Sequence, residues 1–538
     1  MHRLRCIAKR SRISLVLCVT AGLASLSTLS SSPAYGESLS LLRFVEGVDS
    51  APTPMADSEV RAQLNDPWAT LILRQGTFPP NLEQALAALN QLNSADGGLP
   101  EQQSYFVSES GHIPVDASSS ALQREFRMVI TRGGAMASQP SILISAPAGQ
   151  RAGFIELMSW DQRKRAFNFY RRPQDEQWTW KGDTRDALRP ATHLQGCFAC
   201  HVNGVPVMKE LRSPWNNWHS QDASIPSEAI PDEAIRQSPL FQNKSGAEHL
   251  EPVVRGWIAE ATATHIADVM QGDTVTEAPT LLRPLFETTT VNFTASLQTS
   301  ERPTPTLTLP SRFFLNFDVL SGVLGLNVPP GFKTVVQRTL YTNTLTKFDF
   351  RLEDGAFTRK GDTHFAFFVP EPAQEDVTAI RQLIAQQVIT LHFATCVLMV
   401  DFPNPIFSLA RGRLLQYIPA TGHIQDGHSD LAERTAQAIV QAAMTQPVES
   451  PERQFAALWT LSPNQLPKEV DKRLKHYLDA VQKRLKTQAG LDDYTRLAEA
   501  RRRQFATMSA LNEFPLLLPK TNISPMALQM HADGTVRP

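Results

Sequence analysis

The sequence predicts an α+β chain. An antiparallel β-sheet domain with helices after it comes first, and a second α+β body with a helical C-terminal region follows. Three observations carry this. Short β-branched and aromatic runs, broken by Gly, Pro and charged turns, fill residues 125–183. A Ser/Thr/Pro-rich stretch, VNFTASLQTSERPTPTLTLP, occupies 291–310. Toward the C-terminus, apolar residues recur at helical spacing.

The chain opens with MHRLRCIAKRSR, five basic residues and no acid, followed by an apolar run from Ile13 to about Leu29 and then SSSPAYG. Ala34 and Gly36 are the small residues of a cut after Gly36, so residues 1–36 read as a secretory signal peptide, and a periplasmic or secreted location is expected. No later apolar run approaches 18 residues, so no transmembrane span is expected. Without 1–36 the chain has 47 basic against 53 acidic residues, net −6. That excludes nucleic acid or an anionic membrane as the main partner. The length, with 42% hydrophobic and 20% charged residues, fits several globular cores.

Residues 37–115 read as mainly helical or irregular. The sheet then begins, with runs at 125–131, 141–147, 153–160, 165–172 and 177–183. Phe167 with Phe169, and Trp178 with Trp180, alternate as strand residues do. This domain, 116–290, runs straight into LQGCFACHVNGVPVM. Cys6 and Cys18 leave with the signal peptide, so Cys197, Cys200 and Cys396 remain. Cys197-Phe198-Ala199-Cys200-His201 is a C-x-x-C-H pentapeptide. That order suits covalent haem: the loop lets both thiols reach the vinyl groups of one porphyrin, and the next residue brings an imidazole under the iron. One haem c is therefore expected on Cys197 and Cys200, with His201 as the proximal ligand. With two thiols so used, no intramolecular disulfide can form. A zinc site would need a second ligand cluster, and none is present in the sequence. A bare redox dithiol normally opens a helix after a strand in a parallel context, which the surroundings do not resemble.

Over Cys197–His201 the chain resembles the c-type cytochromes. The order of a sheet followed by the attachment motif is similar to the β-sheet monohaem cytochromes, namely the hydroxylamine-oxidising ones and the β-type cytochromes c-prime. That resemblance implies an open sixth iron position. The alternatives are Met208, Met270, His219 and His265. Met208 is only seven residues beyond His201, which leaves about 20 Å of extended backbone to round the porphyrin edge. Five of the eight tryptophans, between Trp160 and Trp218, are placed to wall a pocket or to form a sheet core.

The stretch 291–310 reads as a linker or extended edge. In the second α+β body, 311–425, strands are expected in KTVVQRTLY, TKFDFRLE and THFAFFVPEP. A single helix is expected from Gln374 to Leu398, with Val377, Ile380, Ile384, Val388 and Leu391 on its buried face and an inert Cys396 near its end. Asp401, Asn404 and Arg411 are turn-capping residues with a lesser claim to a polar site. The region 426–538 is expected to be helical. Val470, Leu474, Leu478, Val481 and Leu485 form its apolar stripe, and eleven Lys/Arg stand against six Asp/Glu between Lys468 and Arg503. A solvated face or a dock for an acidic redox partner fits that imbalance. No phosphate loop, H-E-x-x-H or G-x-S-x-G motif is present. The expected role is electron transfer or redox chemistry with a partner protein or small-molecule ligand. The alternatives are a haem enzyme or gas-ligand sensor with an open distal site, and a secreted binding protein with a bare dithiol.

Overall fold

The runs at 125–183 form the middle of an eight-stranded sheet. In the computed structural model the described residues are 40–91, 102–113, 115–122, 124–132, 142–149, 154–300, 304–328, 332–508 and 516–538. The expected signal peptide lies outside them. The strands are β1 (Leu42–Arg43), β2 (Thr53–Pro54), β3 (Gln102–Ser108), β4 (Phe126–Arg132), β5 (Ile142–Pro147), β6 (Ile155–Asp161), β7 (Ala166–Arg172) and β8 (Thr179–Asp183). Their order is β2-β1-β8-β7-β6-β5-β4-β3. From β3 to β8 each strand pairs antiparallel with the next. The N-terminal segment then adds β1 parallel to β8 and β2 antiparallel to β1. The region before 116, expected as helical or irregular, thus supplies three strands as well as the helices Asp57–Gln63, Pro67–Leu71 and Leu82–Gln91.

Register decides what each face carries. Val129, Ser145, Glu156 and Arg171 form one row across β4 to β7, and Leu143, Met158 and Phe169 form the next. Val107 pairs with Arg127 on the same face. The opposite face carries Asn168 and Tyr170 and is covered by the N-terminal helices. Trp68 is fully buried there against Trp178, ring centroids 5.0 Å apart. Asp66 caps Pro67–Leu71 by accepting from Ala69 N, and it also accepts from Tyr170 Oη (2.6 Å) and Asn168 Nδ2 (2.7 Å). Burial raises its pKa, and those hydrogen bonds oppose the rise. Asp66→Ala strands the Tyr170 and Asn168 donors in the core, so a loss of about 3 kcal/mol is expected. Urea unfolding measures it, and a loss below about 1 kcal/mol would show that water replaces the carboxylate.

Two large hydrophobic cores share the helix Ala247–Met270. Leu250, Val254, Trp257, Ile258 and Ala261 belong to the first core, and Ile266 belongs to the second. Leu39–Pro538 form one compact unit. The stretch read as a linker is built differently over its described part. Val291–Thr294 is a buried strand paired with Val369–Pro372, and Thr306–Thr308 pairs with Val335–Gln337. Its β-branched content serves these short ladders. Arg212, eleven residues beyond the motif's histidine, reaches Asp318 (3.1 Å) and Glu371 (2.8 Å) in the second half, and Arg312 also holds Asp318 (2.7 Å).

The second half departs from the sequence reading in two places. Gln374–Leu398 is two helices, Gln374–Ala385 and Leu391–Leu398, because Gln387 turns left-handed (φ 60°) after the first. Val377, Ile380 and Val388 are buried, whereas Leu391 is exposed. In KTVVQRTLY only Val335–Gln337 is strand, and the helix Arg338–Lys347 follows. Cys396 is fully buried, and burial pushes its thiol up to about 12. Asp401, Asn404 and Arg411 form an internal tie. Asn404 donates to Asp401 Oδ1 (2.7 Å) and accepts from Met530 N (3.0 Å), and Arg411 donates to the Asn404 carbonyl (3.4 Å). The five stripe residues of Leu466–Leu485 are all buried. Lys468, Lys472, Lys475 and Lys483 are exposed, but Arg501 and Arg502 are buried and hold Phe313 O and Glu499. Among the described residues no helix is long and apolar enough to cross a membrane.

Candidate functional site

The motif sits just beyond the sheet. Asp183, the last residue of β8, caps the turn Thr184–Ala187 through a reciprocal pair with Asp186. The chain then reaches the 3-10 turn Gly196–Ala199. Gly196 has φ 51°, and a Cβ there would crowd the Glu46 carboxyl, so the position favours glycine. His201 N donates to Cys197 O (3.1 Å), which closes the turn, and Gly204 N donates to His201 O (2.8 Å). Gly204, at φ 65°, packs directly on Thr184 backbone, which fixes the far end of the loop.

Phe198 is buried and meets Phe169 edge-on, centroids 5.3 Å apart. Phe169 also lies 5.2 Å from the His201 ring. The β7–β8 register is irregular between Asn168 and Tyr170, so Phe169 stands at a local distortion of the ladder. The His201 Nδ1 is 2.8 Å from the Val205 carbonyl. A carbonyl only accepts, so Nδ1 carries the proton and the lone pair of the neutral ring is on Nε2.

Cys197, Cys200 and His201 line one cavity of about 390 Å³. Its floor is the sheet face described above, with Arg127, Leu143, Ser145, Glu156, Met158, Phe169 and Arg171. Val207, Met208, Lys209, Glu210, Asn217 and Trp218 continue the wall from the loop beyond the motif. Leu250 and Val254 come from the shared helix, and Phe505 and Leu516 close the cavity from the C-terminal end of the chain. Arg127 and Arg171 flank the Phe154 ring at 5.1 and 5.6 Å, and Arg171 is 3.6 Å from Glu156.

Both motif thiols are half-buried, and neither is in a disulfide. Burial pushes the Cys197 thiol up to about 12; Glu156 and Glu46 add to the rise, and Lys181 and Arg171 oppose it. Burial also raises Glu210 to about 8, although its carboxylate accepts from Asn216 N (2.8 Å) and Asn217 N (2.9 Å). Among the described residues no three His, Cys, Asp or Glu side chains converge on one point as a bare metal ion requires. Haem asks for a different arrangement, in which two thiols and an imidazole address separate atoms of one broad plane. The triplet lines one cavity of mixed apolar and charged walls, a setting that suits an apolar macrocycle with charged edge groups.

Of the proposed sixth ligands, Met208 alone shares this cavity. Met270 packs on the second core, His265 lines a different cavity, and His219 Nδ1 accepts from Ile225 N (3.3 Å) with its pKa lowered to about 4 by burial. Trp218 is the one tryptophan of the dense group on the cavity wall; Trp178 and Trp180 serve the opposite face through Pro79 O and Asn168. Sequence reading missed Met158, Arg127 and Arg171, which only the strand register brings to the motif. No family model, no curated protein and no solved structure matches this chain.

Proposed function

We propose that the chain is an exported monohaem c-type cytochrome, working in electron transfer with a redox partner. One observation carries the reading: Cys197, Cys200 and His201 share a single cavity, with His201 already held in its ligating tautomer by Val205. Haem, when bound, supplies one-electron chemistry at its iron. Cys197 and Cys200 would hold it through thioethers, and His201 Nε2 would ligate it. Phe169 packs against the imidazole, and Phe198 backs Phe169. Arg127 and Arg171 bring positive charge to the cavity wall, suited to the two propionates. The Cys197 thiol, half-buried and raised above its ordinary pKa, speaks against a bare redox dithiol, which needs a ready thiolate.

Protein expressed with a haem-attachment system is expected to exceed the mass of the chain from Glu37 by one haem, and acid–acetone is expected to leave that haem in place. Haem that extracts, or a mass without it, ends the reading. The polar wall groups Glu210, Asn217 and Lys209 favour a second reading, an open distal site for a small ligand. A far-red sulfur-to-iron band that disappears in Met208→Ala supports the carrier. Rapid carbon monoxide binding that Met208→Ala does not change supports the enzyme or sensor.

A further inference from the structure

The loop beyond the motif is hung on the second half of the chain. Asn203 Nδ2 donates to Thr289 Oγ1 (3.1 Å). Phe293 N donates to Lys209 O (2.6 Å), and Lys209 Nζ donates to Thr290 Oγ1 (3.2 Å). Arg212 is held by Asp318 and Glu371, and Asn216 Oδ1 accepts from Phe365 N (3.4 Å). The first of these ties lies inside the turn 201–205, which puts the Val205 carbonyl on His201 Nδ1.

Thr289 and Asp376 are both buried. Asp376, in the helix Gln374–Ala385, accepts from Thr289 N (3.2 Å) and from Thr289 Oγ1. A hydroxyl has one proton, and this one goes to the carboxyl. Toward Asn203 the Thr289 oxygen can therefore only accept, which fixes the amide with its NH2 group inward. The sheet holds the same turn from the other side: Thr184 Oγ1 accepts from Phe167 N (2.9 Å) and donates to Gly204 O (2.8 Å). Gly204 (φ 65°) separates Asn203 from Val205, and glycine limits backbone rotation least. A tie on each side is what aims the carbonyl that follows it.

We infer that Thr289 is a positioning residue for His201: from the second half of the chain it anchors Asn203, and through the turn it keeps the Val205 carbonyl on His201 Nδ1, so that Nε2 carries the open lone pair. The inference rests on the reading of His201 as the iron ligand, and it gives the second half of the chain a part in that site.

The tautomer of His201 tests this. The full chain without haem is labelled with 15N-histidine, and His201→Gln assigns the His201 resonances. Spectra are taken at pH ~9, where imidazole is neutral, and where Asp376, which burial raises to about 8, is ionised. The unaltered chain is expected to hold the proton on Nδ1. Thr289→Val keeps the shape and removes the hydroxyl, and should move the ring toward the Nε2–H form that water favours. Asn203→Ala cuts the same tie while leaving Asp376 its donors, and should do the same. Thr289→Ser retains the hydroxyl and should keep Nδ1–H. In the haem-loaded chain, Thr289→Val and Asn203→Ala should raise the midpoint potential relative to Thr289→Ser, because a weaker Nδ1–H bond makes the imidazole a poorer donor to ferric iron. A proton that stays on Nδ1 in folded Thr289→Val or in Asn203→Ala, or that leaves it in Thr289→Ser, overturns the proposal, whatever the change in stability. The tautomer is read without haem, so a chain that takes up no haem would end the first reading and leave this result to stand or fall by itself.

Discussion

With Cys197 and Cys200 both changed to alanine, the purified chain is expected to carry no covalently attached haem. The two thiols line one cavity with His201, and among the described residues no other thiol does: Cys396 is fully buried in the second core. The double variant keeps His201 and the sheet floor, so any haem it takes up is held by the iron bond and packing alone, and acid–acetone should remove it. Cys197→Ala alone leaves one thioether from Cys200. That variant should retain non-extractable haem at reduced yield, with a pyridine haemochrome spectrum moved to longer wavelength because one vinyl group stays conjugated. Intact mass and extraction read all three proteins. Full, non-extractable haem in the double variant would falsify the assignment of the attachment site.

Arg212→Ala is expected to be the most damaging change away from the cavity. Arg212 lies between Asp318 and Glu371, and Glu371 is 1% exposed. Removing the guanidinium takes the ion-pair partner from Glu371, which burial already raises to about 7, at a cost of about 3–5 kcal/mol. Asp318 would keep only Arg312. Burial by itself would raise Asp318, but Arg312 and Arg212 outweigh it and hold the carboxyl at about 2, below the ordinary 3.8. A carboxyl depressed on folding stabilises above its unfolded value, and that contribution disappears as the pH falls through about 2. In Arg212→Ala, the acid limb of the stability curve should therefore move to higher pH. Arg212→Met with Glu371→Met replaces the pair by apolar volume and should recover most of the loss. Denaturant unfolding across pH measures each. A single-variant loss within about 1 kcal/mol would mean that water already reaches Glu371.

The sheet was legible because its signals are local. The five runs read at 125–183 coincide with β4 to β8 to within about two residues, since β-branched and aromatic residues between turn residues report directly on a pleated surface. The motif was legible because its chemistry is contained in five consecutive residues. What escaped depends on distant partners. β3, with Tyr105, Phe106 and Val107 at its centre, has as clear a run as its neighbours but stood in a region dominated by helical signals. The helix Arg338–Lys347 carries four threonines, a composition that favours strand. Tertiary bonds from Tyr341 to Asp362 and from Thr344 to Asp492 hold it as helix. The break at Gln387 is a left-handed residue in a glutamine pair, with no glycine to announce it. Arg127, Met158 and Arg171 join the site only because three pairs of strands align in one register, and no window along the chain contains that information.

Phe505 and Leu516 give the first cavity part of its cover, yet they come near the far end of the chain. A polypeptide emerges from its N-terminus, so the sheet floor and both motif thiols are made well before the residues that cover them. During that interval the loop is approachable from a side that the finished protein closes. An attachment enzyme acting on the growing chain would meet Cys197 and Cys200 in the open, and the last helix and the segment after it would then seal what it had placed. Truncation after Glu499 should therefore leave attachment intact while making the bound group accessible to solvent. Timing, as well as geometry, is written into the order of the segments.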